Sequence, residues 1–344
     1  MKALVLTEYM NLELQEVAKP VLTSPTQTLV RIKAASICGS DVHGYDGSTG
    51  RRQPPVIMGH EGAGIIEEVG SMVTNFKVGD HVTFDSTIFC GSCHFCKHGL
   101  FNLCDNRRVL GVSCDEYKQD GIFAEYAVIE ERVLFALPEG LSFEEAAMVE
   151  PAAVAAHALS LASPALHKDV AVVGAGLIGL LTMKLLRTLT SGKIIALDID
   201  ESRRAMAESV GADYAFDPND PALHETIMKL TNNLGLNIVY EAVGATAPIQ
   251  TAISLTRKGG TVVLVGNVSP TIELPLQSVV TRQIRLQGSC AINGEYPAVL
   301  QMMADGVLDV TDLISKIAPL DEGKKWFDAL YHKEGDLLKV VLQP

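Results

Sequence analysis

Basic charge is short in this sequence relative to acidic charge. Against 41 acidic residues it carries 28 lysines and arginines, for a formal net charge of −13. A nucleic-acid footprint needs a basic face and an anionic membrane surface attracts one, so neither is expected as a partner. Long apolar runs are also missing: no window reaches the roughly 18 uninterrupted apolar residues of a spanning helix. Met1 to Glu8 holds one lysine and no extended apolar core, so no secretory signal is read there. Internal repeats and low-complexity tracts are absent, which sets aside solenoid and disordered architectures. A disulfide framework fits less well than reduced thiols and zinc. Seven cysteines is an odd number, four of them fall in one motif, and reduced thiols point to the cytoplasm.

What is present is a chain of 344 residues, 47% hydrophobic and 20% charged, long enough for two domains with substantial cores. The sharpest local signal is Cys90-Gly-Ser-Cys93-His-Phe-Cys96, followed by Cys104. Thiols at three-residue intervals, with a fourth shortly after, can converge as thiolates on one tetrahedral zinc. Gly, Ser, Lys and Asn between them read as a loop wrapped around the ion, a lobe over about 88–105. Four sulfurs leave no open coordination position, so this zinc stabilises and does not catalyse. His94 and His98 lie within the lobe and are not needed as ligands.

Short alternating runs fill residues 1–150: Lys2–Leu6, Leu12–Val17, Thr28–Ala35, Gly62–Val69, His81–Phe84, Phe123–Ile129 and Arg132–Ala136, broken by Gly and Pro turns. Such a pattern predicts a partly closed antiparallel β-barrel. Three positions on separate loops stand out: Cys38 after the third strand, His60 in Gly59-His60-Glu61, and Glu150 in Val149-Glu150-Pro151. A thiolate, an imidazole and a carboxylate give three protein ligands with a fourth position open, the arrangement of a catalytic zinc site.

Over 151–289 the pattern changes. The apolar strand Val170–Val173 runs into Gly174-Ala-Gly176-Leu177-Ile178-Gly179 and then an apolar helix to Leu189. In that strand–turn–helix setting the glycines let backbone approach a pyrophosphate at a helix N-terminus. The next strand ends in Asp198, nineteen residues after Gly179. A carboxylate there accepts from both ribose hydroxyls and repels a 2′-phosphate, so NAD is favoured over NADP. Arg203 and Arg204, on the following helix, keep some NADP use open. Val243 and Val265 complete the coenzyme set. Alternation continues through Tyr214–Phe216, Asn237–Glu241, Thr261–Val265 and Ile284–Gly288. A helix over 248–256 is read as capped by Gly259-Gly260. The result is a doubly wound parallel sheet of six strands. Residues 290–344 are expected to return to the first domain, which would place the cleft between the two.

Taken together and in order, Cys38-Gly-Ser-Asp-Val-His43, Gly59-His60-Glu61, the four lobe cysteines and Gly174–Gly179 resemble the zinc-containing medium-chain dehydrogenase/reductases over essentially the whole chain. The resemblance implies an α/β chain with a GroES-like catalytic domain and a Rossmann coenzyme domain, two zinc ions, and a homodimer or homotetramer. Within that family, glutamate at position 150 is similar to the polyol branch, the sorbitol, galactitol-1-phosphate and xylitol dehydrogenases. The family uses either Glu61 or Glu150 as the third ligand, and the sequence does not choose. It also implies a proton relay from Ser40 to His43.

The expected reaction is hydride transfer from a secondary hydroxyl of a polyol or polyol phosphate to NAD, giving a ketose. Alternatives are a simple secondary alcohol, butanediol or L-threonine as substrate, and, more remotely, a non-catalytic zinc- and dinucleotide-binding sensor. Ala291 stands where animal-type sorbitol dehydrogenases place an arginine, which argues against sorbitol itself. Arg51 and Arg52 are read either as solvated loop residues or as a clamp for a substrate phosphate.

Overall fold

Ten residues, Gln27–Ser36, form the longest strand of the molecule, and on one side or the other it meets three partners. Residues 27–31 pair antiparallel with Tyr126–Glu130, most of its length pairs with Glu61–Val69, and Ala35 and Ser36 pair with Leu342 and Val341. Bulges between Leu29 and Val30 and between Ile32 and Ala34 let it bend through these changes of partner. In the computed structural model, which describes residues 1–162 and 167–344, it belongs to a unit made of Met1–Glu150 and Ile292–Pro344.

That unit's main sheet has seven strands. All its pairings are antiparallel except that of Lys316–Pro319 with Val340–Gln343. A three-stranded sheet, with Lys2–Glu8 between Asn11–Glu16 and Val56–Ile57, is tied on through Leu4 N–H to Phe123 O at 2.8 Å. Phe84, Phe123, Phe327 and Tyr45 are fully buried between these layers. The segment read as a strand over 123–129 therefore divides in two: Phe123–Glu125 bonds to the first strand, and Tyr126 begins the pairing with residues 27–31. The tail adds helices Tyr296–Ala304 and Gly323–Tyr331 before its last strand closes onto residues 35–36.

The second unit, Pro151–Ala291, is one sheet of six parallel strands. Across the sheet they run Tyr214–Phe216, Ile194–Leu197, Val170–Val173, Leu236–Glu241, Thr256–Leu264 and Arg285–Gly288. The chain starts at the centre, winds to one edge, then returns to fill the other. Val170–Val173 and Ile194–Leu197 are buried at every residue, as strands covered on both faces must be. One local reading needs correction. Gly259 and Gly260 do not cap a helix; helix Thr246–Leu255 ends earlier, and the glycines lie inside strand Thr256–Leu264. Gly259 has φ +70°, and the register with the neighbouring strand shifts there, so the pair makes an irregular strand entry that only a glycine tolerates easily. No helix among the described residues is long and apolar enough to cross a membrane.

Candidate metal and coenzyme sites

In the lobe, short helix His94–Lys97 and the turn Phe101–Leu103 bring four sulfurs together. The Sγ atoms of Cys90, Cys93, Cys96 and Cys104 lie within 4.8 Å of one another, and all are free thiols. Backbone N–H groups of Ser92 and Cys93 donate to Cys90 Sγ at 3.5 and 3.3 Å and hold its thiol down at about 5. Burial pushes Cys96 up to about 12. His98 Nδ1 faces the carbonyl of His94 at 2.7 Å and takes no part. The donor set fits a structural zinc: four sulfurs, converging, some already favoured as thiolates.

A second convergence lies where two strands of the main sheet begin and end. Cys38 follows strand Gln27–Ser36 and caps helix Gly39–Tyr45. Its Sγ accepts from Ser40 N–H at 3.4 Å and from Ser40 Oγ at 3.3 Å. His60 immediately precedes strand Glu61–Val69. One ligand atom each of Cys38, His60 and Glu61 lies within 4.8 Å of the others. A soft, a borderline and a hard donor from three side chains fit a zinc site with an open position.

The surroundings of these three are polar, buried and paired. His60 Nδ1 is 3.3 Å from Asp41 Oδ2, an ion-pair contact, and neither atom makes a hydrogen bond. Arg52 Nε and Nη2 donate to the other oxygen, Asp41 Oδ1, at 3.1 and 2.9 Å. Burial works to raise the Asp41 carboxyl, but His60 and Arg52 outweigh it and hold Asp41 well below the usual carboxylate range. For His60, burial favours the neutral ring, and the charges of Asp41 and Cys38 reverse that. Glu61 accepts from Lys339 Nζ and from Ser36 Oγ.

Glu150 occupies the first turn of helix Val149–Ser160 and lies outside the converging trio. Burial, then the charge of Glu61, pushes its carboxyl up to about 8. Ser40 and His43 sit exposed on helix Gly39–Tyr45, three residues apart. Arg51 is exposed, with Nη2 3.5 Å from the Tyr117 hydroxyl. Arg52 is neither solvated nor free for a substrate phosphate, since it is 4% exposed and committed to Asp41. Asp41, Ser36 and Lys339 are the site residues that sequence reasoning missed, and Arg52 was singled out but given the wrong role. Asp41 alone carried a signal, its place inside the Cys38–His43 motif.

In the coenzyme unit, Gly174 has φ +93° and a Cβ there would lie 2.6 Å from Val243 Cγ2; a Cβ on Gly179 would lie 1.9 Å from Gly174 O. Gly176 heads helix Leu177–Leu189 with no side-chain cap, and open space faces it. Free N–H groups at an uncapped, unobstructed helix start fit a pyrophosphate. Asp198 ends its strand with Oδ2 on Ala175 N–H at 2.7 Å and Oδ1 on Asp200 N–H at 2.9 Å. Arg203 is half-buried on helix Glu201–Ser209, and Arg204 Nη1 donates to Asp198 O at 2.8 Å. Val243 and Val265 N–H groups donate to Glu241, the first to its carboxylate and the second to its carbonyl, each at 2.8 Å.

Residues 24–139 match the alcohol dehydrogenase GroES-like domain family, and residues 178–305 match the zinc-binding dehydrogenase family. The chain is 34% identical to D-xylulose reductase A of Aspergillus oryzae, over 94% of this chain and 91% of that one. It is 33% identical to D-arabitol-phosphate dehydrogenase of Enterococcus avium, over 92% and 90%. A zinc-binding dehydrogenase from Sinorhizobium meliloti, solved with NADP, superposes with a TM-score of 0.90 at 31% identity, over 100% of this chain and 99% of that one. Two donor sets fit for zinc, a glycine turn fit for a dinucleotide and these likenesses agree, and the chain belongs to the zinc-binding alcohol dehydrogenase family.

Proposed function

We propose that the protein oxidises a secondary hydroxyl of a polyol or polyol phosphate and passes the hydride to NAD, releasing a ketose. The observation that carries this reading is the convergence of Cys38, His60 and Glu61. A carboxylate in place of a further thiolate hardens the site, which suits oxygen-rich substrates. The xylulose reductase and arabitol-phosphate dehydrogenase relatives handle such molecules.

Cys38, His60 and Glu61 hold the catalytic metal in this reading, and Glu150 stands by as a nearby carboxyl outside the ligand set. Zinc, when bound, supplies a Lewis acid that makes a hydroxyl proton easier to remove, and the dinucleotide accepts the hydride. Ser40 Oγ, beside Cys38 Sγ, takes the substrate's hydroxyl proton, and the exposed His43 ring receives it for release to water. Gly174, Gly176 and Gly179, with Leu177 and Ile178, seat the pyrophosphate, and Asp198 takes the ribose hydroxyls, so NAD is preferred. Arg51 is the cation placed to meet a substrate phosphate.

Two zincs per chain, a cytoplasmic location and a homodimer or homotetramer belong to the same reading. Strand Arg285–Gly288 ends its sheet with one edge unpaired, and Leu276 and Val280 on the neighbouring helix are more than 60% exposed, which supports pairing of two copies there.

A panel of polyols, polyol phosphates, 2,3-butanediol, simple secondary alcohols and L-threonine, read by NADH formation, tests the proposal. Highest kcat/KM on a polyol or its phosphate is expected. A tenfold preference for L-threonine or a simple alcohol would overturn it. On a polyol phosphate, Arg51→Ala should raise KM without the same rise for the free polyol.

A further inference from the structure

We propose that Arg52 is a positioning residue for the catalytic metal, one that fixes Asp41 against His60, and that Gly44 is the residue whose missing side chain makes room for it. The inference rests on the ligand set above. Its evidence is a complete account of one guanidinium. Nε and Nη2 both donate to Asp41 Oδ1, at 3.1 and 2.9 Å; Nη1 donates to Arg51 O at 3.1 Å; Nη2 also reaches Ser40 Oγ at 3.5 Å. The backbone on either side is clamped in turn. Ser113 N–H donates to Arg51 O at 3.1 Å, and Gln53 N–H to Ser113 O at 2.9 Å.

Two donors on one carboxylate oxygen leave the other for a single use. Asp41 Oδ2 faces His60 Nδ1 at 3.3 Å. A metal-binding histidine whose second ring nitrogen points at a carboxylate is held in one tautomer and one orientation. With Nδ1 turned to Asp41, Nε2 is the nitrogen left for the metal beside Cys38 and Glu61. Without Arg52 the Asp41 carboxylate would be free to turn about its own axis and to offer either oxygen, or neither, to the ring. A lysine could neutralise the charge but could not reproduce the two-donor fork.

A purely structural role is the competing account, and energetics speak against it. A buried ion pair is a poor way to gain stability, since desolvation consumes most of the attraction; orienting a ligand is what such a pair does well. Gly44 supplies the second, independent mark. A Cβ at Gly44 would lie 2.3 Å from Arg52 Cγ and 3.1 Å from Arg52 Cβ. Gly44 is inside helix Gly39–Tyr45 and its φ is not positive, so alanine would otherwise favour the helix. Glycine at this position leaves the room that the arginine stem occupies.

The test uses the full-length, zinc-loaded chain and its Arg52→Met, Arg52→Lys and Gly44→Ala variants. Each is challenged with a chelator well below its unfolding temperature, and zinc per chain is followed with time by mass spectrometry of the metal. The cysteine lobe is the internal reference. We expect one of the two zincs to leave Arg52→Met and Gly44→Ala at least about tenfold faster than wild type, with lobe zinc unchanged. Arg52→Lys should fall between, a partial rescue by charge without the fork. If Arg52→Met does not fold, Gly44→Ala carries the test, since it removes no charge. Wild-type release from the variants, or loss of both zincs together, overturns the inference. One zinc in the wild type overturns the ligand set itself, and the inference with it.

Discussion

Lys339 Nζ is ion-paired with the carboxylate of Glu61, across 278 residues of sequence, and both side chains are 1% exposed. The ammonium also donates to Ile37 O at 3.0 Å, so one lysine bonds to the segment that leads into Cys38 and to the residue after His60. Removing one partner of a buried pair leaves the other charge stranded. Lys339→Met should therefore cost about 3–5 kcal/mol of stability, measured by denaturant unfolding. The loss should be larger in chelator than in zinc, because a metal on Glu61 replaces the missing positive charge.

The lobe makes a separate claim. Cys96→Ser should lower zinc content from two to one per chain while the Cys38–His60–Glu61 zinc remains. Thermal unfolding should drop by at least about 5 °C, which for a domain of this size corresponds to only about 2 kcal/mol, a modest part of what a structural zinc contributes. Loss of both ions together would contradict the independence of the two sites.

Asp198 links coenzyme choice to loop shape, because the carboxylate that would hold the ribose also accepts from Ala175 N–H. Asp198→Ser should reduce kcat/KM for NAD by roughly tenfold to a hundredfold, the value of a charge-assisted hydrogen bond. The value for NADP should fall less or rise, since repulsion of the 2′-phosphate is gone. Initial rates with both coenzymes decide it. A wild type that prefers NADP, the dinucleotide bound in the Sinorhizobium meliloti structure, would overturn the NAD assignment.

Asp85 predicts a pH effect. Burial pushes its carboxyl up to about 6, although Thr87 N–H donates to it at 2.8 Å. An acid raised above its unfolded value of about 4 binds more protons in the folded state, so stability falls as pH rises from about 4 to about 6. Asp85→Asn keeps an acceptor for Thr87 and removes the charge. It should stabilise the protein by up to about 3 kcal/mol at pH 8, with the gain largely gone by pH 4, as urea unfolding at the two pH values would show.

Motifs were legible where ligands are close in sequence. The lobe fits within Cys90–Cys104, and the glycine turn with its flanking strands is a single continuous run, so spacing alone carried the chemistry. The parallel, doubly wound character of the coenzyme unit followed from alternation of strand and helix. The third member of the converging trio was not legible, because Glu61 and Glu150 are equally plausible donors in sequence, and only the fold brings Glu61 within 4.8 Å of the Cys38 and His60 ligand atoms. Arg52 was read as loop surface or a phosphate clamp, since a polar, glycine-rich neighbourhood gives no sign that helix Gly39–Tyr45 folds over it. Lys339 was invisible for a different reason: its partner is met only through the pairing of Leu342 and Val341 with Ala35 and Ser36. The glycines at 259–260 were misread because helix end and strand irregularity use the same residue type.

That late pairing also sets an order of events during synthesis. Lys339 and strand Val340–Gln343 follow the whole coenzyme unit, so a growing chain carries Glu61 without its counter-ion, and residues 35–36 without a neighbour, until that unit has been made. The lobe needs nothing beyond Cys104 for its four thiolates. The lobe is thus complete in sequence before the coenzyme unit is begun, whereas the surroundings of Glu61 are complete only once the last strand has been made.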